Sequence, residues 1–124
     1  MEFNSSKPIW QHICDIVADR VILGQWREGD RIPSVRELAM ELQVNPNTVM
    51  RSYDLLQRDG IILSQRGIGY FVAEGATFKA QTLCRKEFLE SQLPPLFERM
   101  TTLGITPEEI AQLFEIYKHN TTKL

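Results

Sequence analysis

Between Ile32 and Gly60 the chain carries start and stop signals for two short helices separated by a tight turn. That pairing constrains the fold more than any other stretch. Ser34 followed three residues later by Glu37 is a capping box, in which hydroxyl and carboxylate each satisfy a backbone N–H. Pro33 ahead of it drives Ile32 into extended geometry. Val35, Leu38, Ala39 and Leu42 recur at helical spacing and predict one buried stripe. Gln43 and Val44 fill the turn. The second helix has its own start, with Asn45 as N-cap and Pro46 at the first helical position, and Gly60 ends it as a C′ glycine. Its apolar face is Val49, Tyr53 and Leu56. Asn47, Thr48 and Arg51 fall on other faces, free to touch a partner.

Two capped helices with so short a connection form a helix-turn-helix pattern. A helical hairpin that only packs would share those signals, so the flanks matter. Upstream, Lys7-Pro8 opens a helix whose stripe of Ile9, Ile13, Ile16, Val17 and Val21 runs to about Leu23, and Gly24 stops it. Arg31-Ile32 predicts a short strand. Downstream, 61–65 and 70–73 are rich in β-formers and flank the glycine-bearing tip Arg66-Gly67-Ile68-Gly69. An isolated hairpin is marginal in water, so this one must pack on the helices, with 31–32 as a third strand. The order helix, strand, helix, helix, hairpin is that of a winged helix. In the wing, Gly67 and Gly69 allow close backbone approach, and Arg66 beside them can grip a phosphate or enter a minor groove. No helix with Lys-Ser/Thr follows, so the tip is no nucleotide-phosphate loop.

The 124 residues suit one small domain with an extension. With 43% hydrophobic and 24% charged residues, the composition is globular rather than disordered. No apolar run approaches the ~20 residues of a membrane span, and the N-terminus shows no basic-then-apolar leader, so a cytoplasmic location is expected. Cys14 and Cys84 lie on apolar helix faces and read as buried free thiols. His12 and His119 stand alone, which leaves no metal site and no cofactor expected. No nucleophile–base pair or paired carboxylates occur at usable spacing, so an enzyme is not expected. Net charge is −2, and residues 1–75 hold eight Lys/Arg against ten Asp/Glu. An acidic balance lowers non-specific affinity for nucleic acid but leaves base-edge recognition available.

The conjunction GDRIPSVRELA, VNPNTV and RGIGYFV, with Pro8-Ile9-Trp10-Gln11 in the first helix, resembles the winged-helix domain of GntR-type bacterial transcription regulators. The resemblance covers roughly half of the 124 residues. It implies a regulator, expected to be a repressor, that binds an inverted repeat in double-stranded DNA as a homodimer. Carried over by position, it implies DNA contacts from Ser34, Arg36, Asn45, Pro46, Asn47, Thr48, Arg51, Arg66, Gly67 and Gly69. Many relatives carry Arg at the positions of Pro46 and Met50 and read guanine with it. Neither residue is basic here, so a different site with fewer guanine contacts is expected.

Glu74-Gly75-Ala76-Thr77 reads as a linker. A helix from Phe78 to about Leu93 should end or kink at Pro94-Pro95. A second short helix closes at Gly104. Thr106, Pro107 and Glu109 then signal a third, with the tail from Asn120 fraying. The expected fold class is therefore mainly α with a small β-hairpin: a winged helix-turn-helix over 1–75, then an all-helical dimerisation region over 76–124. That region is too small to bury its aromatics alone. Two-fold pairing would cover Phe78, Leu83, Phe88, Leu89, Leu96, Phe97, Met100, Leu113, Phe114 and Tyr117. The alternative is that these helices fold back on the winged helix. So short a helical tail resembles the YtrA-like subfamily. No residue names a small-molecule effector, and the competing function is a winged helix used for protein contacts.

Overall fold

The computed structural model describes residues 7–122 and divides into two compact units, one running to Arg85 and one from Lys86 onward. The expectations for residues 1–6, Lys123 and Leu124 fall outside the described residues.

In the first unit, α1 (Ile9–Ile22) follows Pro8, and Gly24 turns the chain at φ +78°. Next come β1 (Arg31–Ile32), α2 (Val35–Leu42), α3 (Pro46–Arg58), β2 (Ile62–Gln65) and β3 (Gly69–Val72). The sheet is antiparallel in the order β1-β3-β2, with Arg31 opposite Phe71 and Leu63 opposite Phe71 from the other side. Period-2 alternation places Ile32, Ile62 and Val72 inward, each nearly fully buried. They meet Ile13, Val17 and Val21 of α1, Leu38 and Leu42 of α2, and Val49, Tyr53 and Leu56 of α3. This is the winged helix that the sequence signals require.

Both helix starts of the central pair are built as their residues dictate. Ser34 Oγ accepts from the Glu37 N–H at 3.1 Å, and Glu37 Oε1 accepts from the Ser34 N–H at 2.9 Å. Asn45 Oδ1 accepts from the Asn47 N–H at 2.8 Å. Gln43 closes α2 at φ +57°, the left-handed geometry that a tight turn demands.

The expected linker is shorter than its composition suggests. Helix α4 (Ala76–Glu87) begins inside it, and Ala76 and Ala80 are completely buried against the core. Two small residues one turn apart let the helix backbone approach closely, which a polar linker would not do. Glu28 anchors the start: its carboxylate accepts from the Gly75 N–H at 2.7 Å. That bond, with further ones from Thr77, holds the Glu28 carboxyl below the usual range. Cys14 and Cys84 are in no disulfide, and they are half-buried at the edge of the core rather than enclosed.

Where an end or sharp kink is expected at Pro94-Pro95, the second unit has a π-helical turn just before the prolines. It spans Phe88–Gln92, and α5 (Leu93–Leu103) follows directly. Leu93 N–H donates to the Phe88 carbonyl five residues back. The wider turn brings the prolines into the opening turn of α5, where a missing N–H costs little. Gly104 caps α5 at φ +70°, and Ile105 N–H returns to the Met100 carbonyl at 2.9 Å. Thr106 Oγ1 then accepts from the Glu109 N–H at 3.2 Å to open α6 (Pro107–Thr122). Helix α6 continues past Asn120, so the expected fraying does not begin there.

Candidate nucleic-acid interface

Helix α3 has two unlike faces. Val49, Ser52, Tyr53 and Leu56 are buried, and they fix its orientation. Tyr53 donates its hydroxyl to the Pro33 carbonyl at 2.7 Å, and its ring meets Tyr70 edge-on at 4.8 Å. The helix is thereby tied both to the entry of α2 and to β3 of the wing. On the opposite face Asn47, Arg51, Asp54 and Arg58 recur at helical spacing, and all four are exposed. Met50, 42% exposed, borders this stripe on the wing side, where the Tyr70 hydroxyl reaches its sulfur at 4.0 Å. Within the stripe, Arg51 reaches towards α1, its guanidinium carbon 4.6 Å from the centre of the Trp10 ring.

The expected contact residues are distributed over the front of α3, the start of α2 and the wing. Asn45, Pro46 and Asn47 are exposed at the front of α3, and Thr48 is half-buried beside them. The Asn45 side-chain oxygen is committed to the cap, so its amide NH2 is what it can offer a partner. Ser34 Oγ likewise accepts from the Glu37 N–H, and its hydroxyl also serves the Glu37 carboxylate. Arg36 is exposed in the first turn of α2, and Arg66 and Gly67 are exposed at the wing tip. Gly67 adopts φ +78°. Gly69 has a second reason to be glycine: a Cβ there would lie 3.0 Å from Nε of Arg31.

That contact exposes a residue the sequence reading missed. Arg31 runs from β1 across Gly69 at the base of the wing. It also faces Glu37, whose carboxyl is held below its usual range first by the Ser34 N–H and hydroxyl, and additionally by this guanidinium. A β1–β3 pairing is needed to place it there, and no local motif encodes that. Asp54 and Arg58 lie seven and eleven residues beyond Asn47 on the same helical face, a spacing legible in the sequence. The stripe is therefore mixed in charge: cations at Arg51 and Arg58 flank a carboxylate at Asp54.

A two-faced helix beside a glycine-tipped wing can enter a DNA groove, and comparison with known proteins identifies the group of chains built this way. Residues 10–72 match the family of bacterial regulatory proteins called gntR. The chain belongs to the GntR family. It is 37% identical, over 90% of either chain, to YhcF, an uncharacterised HTH-type transcriptional regulator of Bacillus subtilis. It is 43% identical to the HTH-type transcriptional repressor YtrA of the same organism, over 58% of this chain and 55% of that one. Among solved structures, a GntR-family regulator from Bacteroides thetaiotaomicron superimposes with a TM-score of 0.72 at 40% identity. It covers 92% of this chain and 99% of its own. The AraR DNA-binding domain, solved in complex with its operator, superimposes with a TM-score of 0.53 at 25% identity over 59% of this chain and 86% of that one. The chain is thus a GntR-family transcriptional regulator with a winged-helix DNA-binding domain, and its likeness to such regulators extends over its helical extension. Among the described residues no helix is long and apolar enough to cross a membrane.

Proposed function

We propose that this GntR regulator acts in the cytoplasm as a homodimeric repressor on an inverted-repeat operator. Helix α3 enters the major groove, and the wing lies on the flanking minor groove. The observation that carries this reading is the uncovered polar stripe of α3, on a helix whose other face is wholly committed to the core. Asn45, Asn47 and Thr48 supply amide and hydroxyl groups to base edges or phosphate. Arg51 and Arg36 neutralise phosphates or read guanine. Ser34 lies at the phosphate backbone through the start of α2, Pro46 packs at the groove edge, and Arg66 with Gly67 and Gly69 forms the wing contact. The apolar residues left open on the helices after Gly75 support pairing. Phe78 is 76% exposed and Tyr117 63%. Leu83, Phe88, Leu89, Leu96, Phe97, Leu113 and Phe114 are also exposed, whereas Met100, expected in the same interface, is buried. The family's solved operator complex and the repressor named among the relatives favour the same reading.

Selection of bound duplexes from a random pool tests it. The expected product is a palindrome whose half-site centres lie about 34 Å apart, or a small multiple of that. No enrichment over input at low salt would remove DNA binding, and an asymmetric single site would remove the two-fold reading.

A further inference from the structure

Trp10 lies in the first turn of α1, outside every element the DNA reading uses, yet two contacts bind it to the front of α3. The Ser52 hydroxyl, fully buried, donates to the Trp10 carbonyl at 2.7 Å and lies 3.1 Å from the Thr48 carbonyl. The Trp10 ring in turn carries the Arg51 guanidinium at 4.6 Å. Backbone and ring are therefore both referenced to one turn of α3, from Thr48 to Ser52. An arginine on an exposed helix face otherwise samples many rotamers, and ordering it on binding opposes affinity. A planar guanidinium resting on an indole is attracted by the ring's negative face and loses that freedom in advance. Stacking uses the guanidinium face and leaves its in-plane N–H donors available.

From this we infer that Trp10 is a positioning residue: it holds Arg51 beside Asn47 in the orientation that meets DNA, and so sets the affinity Arg51 contributes. The inference rests on the DNA reading above and deepens it. It makes α1 a participant in recognition rather than a core helix alone.

A double-mutant cycle on the selected duplex tests the point, with binding followed by anisotropy at fixed salt. Trp10→Ala should weaken binding about two- to five-fold, as expected for a partly exposed cation–π contact. Trp10→Phe should recover most of that loss. In an Arg51→Ala background, Trp10→Ala should change nothing further, because its partner is gone. A second measurement needs no DNA: the Arg51 Nε–H resonance should be shifted by the indole ring current, and it should move to the ordinary arginine position in Trp10→Ala. Equal losses from Trp10→Ala with and without Arg51 would reduce Trp10 to a structural role and overturn the inference. So would unchanged or tighter binding by Trp10→Ala, because Arg51 would then have to leave the ring to reach DNA. Failure of the unmodified protein to bind any selected duplex would instead defeat the DNA reading itself, and the positioning role with it.

Discussion

At the scale of single residues, Tyr53 holds α3 where it is, and its contribution is measurable. Tyr53 is wholly enclosed, and burial, then the neighbouring Tyr70, pushes its phenol well above the ordinary range. It stays a hydrogen-bond donor to Pro33 throughout the usable pH range. Tyr53→Phe keeps the ring and removes the donor, so it should cost about 1 kcal/mol in a urea melt. Gln43 shows the opposite situation. It takes a left-handed backbone, φ +57°, at the end of α2, without the freedom of glycine. Gln43→Gly should stabilise the fold by roughly 0.5–1 kcal/mol, the left-handed penalty less glycine's own entropic cost. A lower melting midpoint in that variant would show that the Gln43 side chain contributes something the backbone does not reveal.

Elements depend on their ends, and here the carboxylates at those ends make stability sensitive to acid. Glu37 has a depressed pKa because it accepts from Ser34, and Glu28 because it accepts from Gly75 at the start of α4. A carboxyl depressed on folding adds stability above its unfolded value and loses it as pH falls through the folded one. Melts of the unmodified protein should therefore weaken from about pH 5 downward. Ser34→Ala should cost about 1 kcal/mol at neutral pH and flatten that acid slope. An identical slope in the variant would exclude the cap as its source. Every element whose signals are local was legible in the chain: the Ser34, Asn45 and Thr106 caps, the Gly60 and Gly104 stops, and the Gly-bearing wing. What escaped was set at long range or by two compensating effects. Ala76 and Ala80 look like linker and surface until the core they fill is in place. Pro94-Pro95 reads as a stop unless the π-helical turn before it is known. Arg31 and Trp10 acquire partners only through the β1–β3 and α1–α3 packing. Within the candidate site, the polar front of α3 was plain in its spacing, while the residues that orient it were not.

For the molecule as a whole, exposed apolar surface is the largest debt left by a single chain. Phe97 and Phe114, 53% and 56% exposed, sit on the helices from Lys86 onward. Phe97→Lys with Phe114→Lys should convert a dimer in sedimentation to a monomer while leaving the melt of the first unit's core intact. An unchanged sedimentation coefficient would place the partner surface elsewhere. On the proposed reading, the mixed stripe on α3 would also bear on which sequences the regulator accepts. Asp54 presents acceptor oxygens alone, and guanine shows the major groove two acceptors of its own, whereas cytosine offers an amino proton. A carboxylate on that surface adds little attraction for duplex in general, since every phosphate opposes it. If α3 enters the groove as proposed, its effect would be exclusion: a guanine placed under Asp54 would be repelled. Much of this protein's fidelity would then come from the sequences it turns away.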